Sequence, residues 1–434
     1  MVEPSITRLL ALLDDHEFRA RKSVNFTPSE NVLSPLARLP FVLDGYSRYF
    51  FDYFRDSFVS GLEIGRAQIE IIEPVLRSMA HAKYVDVRPL SGMSCATIAI
   101  GALCSAGGVA VTVPAESGGH TSTDAVAGRF GIRVLPLPMR DVHFVDLDRL
   151  EDLLSKVKPN LIYLDQSSLL FPIDPAPIRS LIEIRSPETI LHVDSSHTNG
   201  LILGGALMNP LDRGAHSFGG STHKTLPGPH KGFLATNDSG IRDRFSAIAY
   251  HFVSHHHLAA TVSLGVTLLE MRDCGGEKYA KLVIENAIQF AGRLSARGIP
   301  VAGAVNGFTG CHQVWVMAGD GVDVFGVAKR MYRQGILVNL FRELPGLDSP
   351  ALRLSLAEVT RMGATVRDID ALVEIFSRLL SGSVEDVSDE VASISARLSK
   401  PQFCFTSHAL TGMGSESSLL PVMDLLASFR GDDS

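Results

Sequence analysis

Cysteine, basic charge and long apolar runs are all scarce in this chain of 434 residues. Its five cysteines are odd in number and show no C-x-x-C spacing, so they indicate neither a disulfide framework nor a metal site. The formal net charge of −7 gives no sign of a nucleic-acid-binding surface. No stretch reaches the roughly 18 apolar residues that span a membrane, and the N-terminus lacks a signal-peptide pattern. These absences predict a cytoplasmic protein with no nucleic-acid or membrane partner.

The composition is that of an ordinary globular protein, with 45% hydrophobic and 20% charged residues. The chain is too long for one compact domain by the usual prior, so we expect separate cores. The predicted division is an N-terminal helix and arm over 1–45, a large domain over 46–284 and a small C-terminal domain over 285–434.

The apolar pattern predicts an α/β protein. Apolar residues at helical spacing indicate helices over 4–24 and 62–82. Short apolar runs then alternate with helical stretches, which favours a mostly parallel sheet covered by helices on both faces. The predicted strands are Val109–Val113, Arg133–Leu137, Leu161–Leu164, Ile190–Val193 and Gly232–Ala235.

The pattern changes near residue 285 to that of a small α+β domain. Helices are predicted over Ala287–Arg297, Val324–Gln334 and Val366–Leu380. Strands are predicted between them, at Gln313–Met317 and Leu352–Ser355. A polar stretch from Ser381 and one more helix follow.

Two residues thirty positions apart carry the chemical argument. Asp194 ends an apolar strand, where the ligands of open α/β sheets bind, and a buried carboxylate there needs a cationic partner. The protonated ring nitrogen of pyridoxal 5′-phosphate (PLP) is such a partner. Lys224 lies among Thr, His, Gly and Pro, as a lysine does when its backbone approaches a cofactor. Taken singly, such an Asp is more often a turn residue and such a Lys a surface group.

The strings D-x-x-H-x-x-G-L and T-H-K-T-L-x-G-P, which contain Asp194 and Lys224, resemble serine hydroxymethyltransferase and its relatives. Recognisable pieces run from Ser29 to Gly363. The resemblance implies PLP fold type I, the aspartate aminotransferase-like fold, with a mostly parallel seven-stranded sheet in the large domain and a small C-terminal α+β domain. It also implies PLP as the cofactor.

Position by position, the resemblance assigns Lys224 to the internal aldimine and Asp194 to the pyridine nitrogen. His120 would stack on the ring, while His197 and Ser167 would contact its phenolic oxygen. Arg353 would bind the substrate carboxylate. The remaining residues that the resemblance implies are Glu30 and Tyr49 for catalysis, Ser29 for substrate, and Ser221 and His223 for the cofactor.

A turn before a predicted helix is the candidate phosphate site. The helix begins after Arg88–Ser94, and exposed N–H groups at a helix N-terminus bind phosphate. A serine that only caps a buried helix would leave the same pattern. The serine that the family carries in this turn falls on Met93, so the hydroxyl must come from Ser91 or Ser94, beside Gly92.

The reaction is predicted from departures within the resemblance. The folate-dependent enzymes carry a glutamate two residues after the active-site tyrosine, where this chain has Phe51, and their R-Y-Y-G-G loop is absent. A phenyl ring cannot transfer protons, so folate-dependent turnover should be impaired. Leu164–Ser167 and Gly307–Val314 resemble threonine transaldolases instead. We therefore expect transfer of a glycyl unit from L-threonine to an aldehyde. The alternatives are a folate-dependent serine or α-methylserine hydroxymethyltransferase, a threonine aldolase and an inactive scaffold.

A cluster of histidines over Tyr250–Leu258 is relevant to whether the chain forms an oligomer. Adjacent histidines cannot all converge on one metal ion, and no carboxylate lies nearby in sequence. In the resembled family this segment reaches the phosphate of the neighbouring subunit. Ser254, His255 and His257 are thus candidate cofactor contacts, and the resemblance implies a homodimer or a dimer of dimers.

Overall fold

The computed structural model describes residues 4–50, 60–319 and 321–405, together with residues 419 and 422. The helices are α1 Pro4–Arg21, α2 Pro35–Arg38, α3 Leu62–Ala67, α4 Glu73–Met79, α5 Gly92–Leu103, α6 Thr123–Arg129, α7 Leu147–Val157, α8 Pro175–Arg185, α9 Asn199–Leu203, α10 Ser239–Phe252, α11 Leu258–Asp273, α12 Gly276–Ala296, α13 Val324–Arg333, α14 Ala357–Arg361, α15 Val366–Leu380 and α16 Ser388–Arg397. None of these helices is both long and apolar enough to cross a bilayer.

The strands form three sheets. They are β1 Val24–Asn25, β2 Tyr84–Asp86, β3 Val109–Thr112, β4 Arg133–Pro136, β5 Leu161–Asp165, β6 Ile190–Asp194, β7 Ser217–Ser221, β8 Gly232–Thr236, β9 Gln313–Met317, β10 Ile336–Leu337, β11 Asn339–Phe341 and β12 Ala351–Ser355. The main sheet has seven strands in the order β2-β8-β7-β6-β5-β3-β4. Strands β3 to β7 are mutually parallel, whereas β8 is antiparallel to β7 and to β2. The predicted mostly parallel sheet is therefore present.

Two of the parallel strands near the centre of the sheet are buried along their whole length. All five residues of β5 are buried, as are all five of β7. Helices on both faces exclude water from such strands, which is why their sequences are continuously apolar or small rather than alternating. The carboxyl ends of β5, β6 and β7 consequently meet at one edge, where polar residues follow the buried runs.

The helix predicted over 62–82 is interrupted by a π-helical turn over Gln68–Ile72 between α3 and α4. Pro74, in the first turn of α4, has no backbone N–H to donate and its ring opposes a regular helical turn before it. A single π turn accommodates this break without ending the helix.

The C-terminal part has its own core around a three-stranded antiparallel sheet of order β11-β12-β9. Its buried cluster extends from Ala287 in α12 to Leu398, and also takes in Val24 and Phe26 from the N-terminal segment. The first half of α12, with Tyr279 and Val283, packs instead into the core beside the main sheet. The helix thus runs through the boundary predicted at residue 284, and the division into domains stays a prediction.

Candidate active site

A cavity of about 190 Å³ lies where β5, β6 and β7 end and α5 begins. This is the edge at which open α/β sheets bind ligands. Nine residues singled out in the sequence line it together: Ser91, Gly92, His120, Ser167, Asp194, His197, Ser221, His223 and Lys224. Residues as far apart in the chain as Ser91 and Lys224 therefore share one cavity.

Asp194 is held in place by two donors. The Tyr163 hydroxyl donates to Oδ2 of Asp194 at 2.8 Å, and the backbone N–H of Ser196 donates to Oδ1 at 2.9 Å. Burial, reinforced by Asp194 itself, raises the pKa of Tyr163 well above its ordinary value, so the phenol remains a donor. The carboxylate is thereby oriented at the end of β6, with the cavity beside it.

Lys224 follows β7 in a tight loop whose two ends are joined by hydrogen bonds. The Thr222 N–H donates to the carbonyl of Lys231 at 3.0 Å, and the Thr222 hydroxyl donates to that of Pro229 at 2.7 Å. The Asn31 amide donates to the carbonyl of Lys224 at 2.6 Å. Burial lowers the pKa of Lys224 to about 8, and Arg353 also lowers it while Asp194 opposes the shift. A neutral amine is accessible at a pH where most lysines are charged.

The N-terminus of α5 forms the next wall. Ser91 is its N-cap residue and accepts a hydrogen bond from the Ser94 N–H at 3.1 Å. A Cβ on Gly92 would lie 3.1 Å from Oγ of Ser196 and 3.2 Å from Cβ of Ser221, so glycine keeps this corner open. Ser91 lines the cavity, whereas Ser94 does not. Free N–H groups of a first helical turn attract anions.

His120 is an exposed residue that lines the cavity, and it contacts a buried carboxyl that the sequence did not single out. Its backbone N–H donates to Oδ2 of Asp165 at 3.1 Å, and the Thr123 hydroxyl donates to the same oxygen. Burial, with the nearby Asp194 charge adding to it, raises the pKa of Asp165 to about 7. Asp165 ends β5 as Asp194 ends β6, and this parallel was the available signal.

Arg353 reaches the same region from β12. Its Nη1 donates to the carbonyl of Ser167 at 2.9 Å and to the hydroxyl of Ser168 at 3.1 Å, and its Nη2 donates to Oδ1 of Asn339 at 2.9 Å. The side chain is buried and stacks on the ring of Phe341. Within the described ranges these acceptors are all neutral oxygens rather than carboxylates, and its Nε has no partner. Burial alone lowers the pKa of Arg353 to about 10.

Gln313, the first residue of the neighbouring strand β9, and His312, which precedes it, were missed as site residues, although their string Gly307–Val314 had been noted. Nε2 of His312 lies 3.4 Å from Nδ1 of His197, and Nε2 of Gln313 lies 3.3 Å from the same atom. Both residues are completely buried. They bring the small C-terminal sheet into contact with the cavity wall.

Besides Ser94 and Arg353, six residues singled out in the sequence do not line this cavity. Glu30 lines a separate cavity of about 730 Å³, which His223 also borders. Tyr49 is 40% exposed and stacks on His255 with the ring centroids 4.2 Å apart. Ser254 and His257 are exposed near it, and Ser29 is partly buried. Phe51 and the run Asp52–Asp56 lie outside the described residues.

The comparisons with known proteins agree with one another. The serine hydroxymethyltransferase family model matches residues 5–374. An L-threonine:uridine-5′-aldehyde transaldolase of a Streptomyces species is 41% identical over 376 residues, covering 85% of this chain and 91% of the relative. A serine hydroxymethyltransferase of Pyrobaculum arsenaticum is 36% identical, covering 86% and 87%.

A solved structure extends the likeness to the fold. The L-threonine transaldolase of Pseudomonas fluorescens, in its internal aldimine state, superposes with a TM-score of 0.83 at 26% identity. The match covers 94% of this chain and 96% of that one. The prediction of PLP fold type I is therefore confirmed.

Proposed function

The chain belongs to the serine hydroxymethyltransferase family, whose members are PLP-dependent transferases, and within it we propose that this protein is a threonine transaldolase. It would cleave L-threonine and join the glycyl unit to a second aldehyde. One observation carries the proposal: an amine of lowered pKa, a carboxylate and a helix N-terminus line one cavity. Beside it lies a buried arginine that has only neutral acceptors among the described residues.

The residues of the cavity fit PLP in their chemistry. Lys224 offers an amine for the aldehyde, Asp194 a carboxylate for the ring nitrogen, and the first turn of α5 N–H groups for the phosphate. The gap kept by Gly92 beside Ser196 and Ser221 leaves space at the phosphate end. Of the two serines weighed for the phosphate, Ser91 is the one beside the cavity, so we assign the hydroxyl to it. Bound there, PLP supplies an electron sink for the bond-breaking step.

The chain's own residues account for binding and proton handling. Asp194, fixed by Tyr163 and Ser196, would keep a ring nitrogen cationic. His120 would cover the ring from the cavity mouth, and His197 and Ser167 would contact its phenolic oxygen. Partial burial, with Lys224 adding to it, lowers the pKa of His120, so its ring can stack without carrying charge.

Arg353 is the proposed site for the substrate carboxylate. A buried guanidinium whose acceptors are two neutral oxygens and an amide is costly unless an anion approaches it. An amino acid brings such an anion, and the planar guanidinium binds carboxylates through paired hydrogen bonds. When the Arg353 guanidinium binds the carboxylate, the amino group of the same substrate can be directed towards Lys224.

Transfer to an aldehyde, rather than to folate, is the finer part of the proposal. The transaldolase of the Streptomyces species is more similar to this chain than the hydroxymethyltransferase of Pyrobaculum arsenaticum, at 41% against 36% identity. Phe51 supplies no acid–base group where the folate enzymes carry a glutamate. A nucleoside aldehyde, as in the name of that relative, is the first acceptor to test.

We further propose that the site is completed in a homodimer. Tyr49, Ser254 and His257 lie on the surface of the single chain, away from the Lys224 cavity. Helix α1 exposes Leu9, which is 52% exposed, and Leu13, which is 53% exposed. An 18-residue helix that buries so little of its apolar surface needs a further partner for stability. A second copy of the chain would supply one and would bring surface residues to the neighbouring site.

The test is a reaction of the purified protein with PLP, L-threonine and a panel of aldehydes that includes uridine-5′-aldehyde. We expect a new β-hydroxy amino acid by mass spectrometry, with acetaldehyde released in equal amount. Glycine without any such product would make the protein a threonine aldolase. Formation of glycine from serine only when tetrahydrofolate is added would make it a hydroxymethyltransferase and refute the proposal.

A further inference from the structure

Gln313 is wedged between four groups, and these groups fix the orientation of its side-chain amide. Its Oε1 accepts from Nε1 of Trp315 at 3.1 Å and from the backbone N–H of Leu169 at 3.3 Å. Its Nε2 donates to the carbonyl of Ser167 at 2.9 Å. An indole nitrogen and a backbone amide can only donate, and a carbonyl can only accept. A flipped amide would oppose all three contacts.

The fixed amide has consequences for His197. With one N–H of Gln313 on Ser167, the other faces Nδ1 of His197 at 3.3 Å. This distance is slightly longer than the usual 2.7–3.2 Å of a hydrogen bond. The roles of donor and acceptor are nevertheless clear, because a proton on Nδ1 would be repelled by the N–H of Gln313. Nδ1 therefore accepts.

Only one proton is available to the His197 ring. Burial is the largest cause that lowers the pKa of His197 well below its ordinary value, and the positive charges of Lys224 and Arg353 add to it. A neutral imidazole that accepts at Nδ1 carries its proton on Nε2. Among the described residues no hydrogen bond engages Nε2, while the ring itself lines the cavity beside Lys224.

We infer that Gln313 is a positioning residue, which fixes His197 as the Nε2–H tautomer and so gives the cavity a hydrogen-bond donor. The inference rests on the proposed function in one respect, since the partner of that donor would be the phenolic oxygen of the cofactor. A donor at that oxygen stabilises it as an anion. Strand β9 of the small C-terminal sheet would thereby set the protonation of a residue in the turn that follows β6 of the main sheet.

His312 is the competing candidate for the same role. Its ring is nearly parallel to that of His197, at 22° and with 5.5 Å between centroids, and its Nε2 lies 3.4 Å from Nδ1. However, Nδ1 of His312 has no partner within the described part of the chain, so no neighbour described there fixes which of its nitrogens carries the proton. Gln313 is fixed independently of His197, which is why the assignment goes to Gln313.

The test reads the tautomer directly. The protein with bound PLP is labelled with 15N-histidine, and the ring nitrogens of His197 are identified by the signals missing from the His197→Asn variant. In the unaltered protein we expect Nδ1 to have the chemical shift of an unprotonated nitrogen and Nε2 that of a protonated one. A protonated Nδ1 overturns the inference.

The Gln313→Glu variant should reverse which ring nitrogen of His197 carries the proton. The carboxylate keeps the acceptor for Trp315 and Leu169 but has no N–H for His197, so Nδ1 should become protonated. The matched control is Gln166→Glu, which adds the same charge to the cavity wall without a hydrogen bond to His197. The control should leave both shifts in place. An unprotonated Nδ1 in Gln313→Glu contradicts the assignment.

Two further variants complete the test. Gln313→Met keeps the inference testable if Gln313→Glu does not fold, and His312→Phe tests the competing histidine. Gln313→Met removes the donor without adding charge, and the two nitrogens of His197 should then move towards averaged shifts; unchanged shifts would overturn the inference. His312→Phe should preserve the original shifts, and a change there without one in Gln313→Met would transfer the role to His312. Loss of a residue that orients a metal ligand typically costs roughly 10–100-fold in activity. We expect a loss of the same order in kcat/KM for Gln313→Met, because Gln313 orients His197 in the same way. A protein without transaldolase activity would refute the proposed function and leave the nitrogen shifts to decide this inference.

Discussion

Lys224 lies in surroundings that lower the pKa of its amine to about 8, mainly through burial. Only the neutral amine attacks an aldehyde, so its reactivity should rise with pH below about 8 and level off above it. In the cofactor-free protein, labelling of Lys224 by an amine-reactive reagent, followed by peptide mass spectrometry, should show this midpoint. The exposed Lys278 corrects for the reagent's own pH dependence. A midpoint near 10 would show that the cavity does not depress the pKa.

Arg353 permits a prediction about substrate binding. Removing one partner of a desolvated charge pair costs about 2–5 kcal/mol, so Arg353→Ala should raise the KM for L-threonine far more than it lowers the affinity for PLP. Arg353→Lys should recover little, because an ammonium cannot form the paired contact. The control is Arg342→Ala, which removes an exposed arginine near the same sheet. An unchanged KM in Arg353→Ala would remove this residue from the site.

The site residues differ in how well they could be predicted from the sequence. Asp194 and Lys224 stand in strings of unusual composition, so the pattern alone indicated chemistry. Gln313 sits in an apolar strand and looks like any polar residue at a strand end. Its importance comes from four contacts with segments far away in the chain, and only the folded arrangement displays them.

At the scale of elements, strand β7 is the clearest case in which the sequence pattern failed to predict a strand. Its residues Ser217–Ser221 read SFGGS, with one large apolar residue and two glycines, so no strand was predicted there. The glycines are required by close packing. A Cβ on Gly219 would lie 2.1 Å from the carbonyl oxygen of Phe233, and one on Gly220 would lie 2.4 Å from Oγ of Ser196. Backbone proximity to the site therefore removed the features by which strands are recognised.

Gly220→Ala tests this account. Gly220 has a φ of +148°, and its added methyl group would press on the backbone of Ser196, so we expect a loss of about 1–3 kcal/mol in the free energy of unfolding. Weaker binding of PLP should accompany it. Gly128→Ala is the matched control, because a Cβ there meets nothing within 4 Å. Thermal denaturation and PLP titration measure both effects, and equal behaviour of the two variants would contradict the packing argument.

Helix α1 was predicted correctly as a helix, yet its apolar face is not covered by the rest of the described chain. Ile6, Leu9 and Leu13 lie on one side, and all three are at least 40% exposed. If this face binds a second copy, Leu9→Glu combined with Leu13→Glu should shift the protein from dimer to monomer in sedimentation experiments. Asp15→Lys changes charge on the opposite side of the same helix and should leave the dimer intact. A double variant that stays dimeric would exclude α1 from the interface.

At the scale of the whole molecule, the sequence could predict the order of elements but not their interlocking. The segment with Val24 and Phe26 packs into the C-terminal core, and β1 pairs with β10 some 310 residues later. Arg361 of α14, fully buried, contacts Glu270 of α11 and the carbonyls of Gln402 and Phe403. Such contacts join the predicted divisions of the chain, and periodicity along a sequence carries no information about them.

The homodimer proposal makes one prediction that no property of a single chain can imitate. If His257 completes the site of the neighbouring subunit, a Lys224→Ala chain and a His257→Ala chain should each be impaired as pure dimers. In a mixed dimer of twofold symmetry, one site would carry both changes and the other neither. The isolated mixed dimer should therefore have roughly half of the activity of the unaltered enzyme, and an unfractionated random mixture about a quarter. The mixture is prepared by co-expression with two different tags, and tandem purification isolates the mixed dimer. Activity no higher than the mean of the two pure variants would show that each chain builds its site alone.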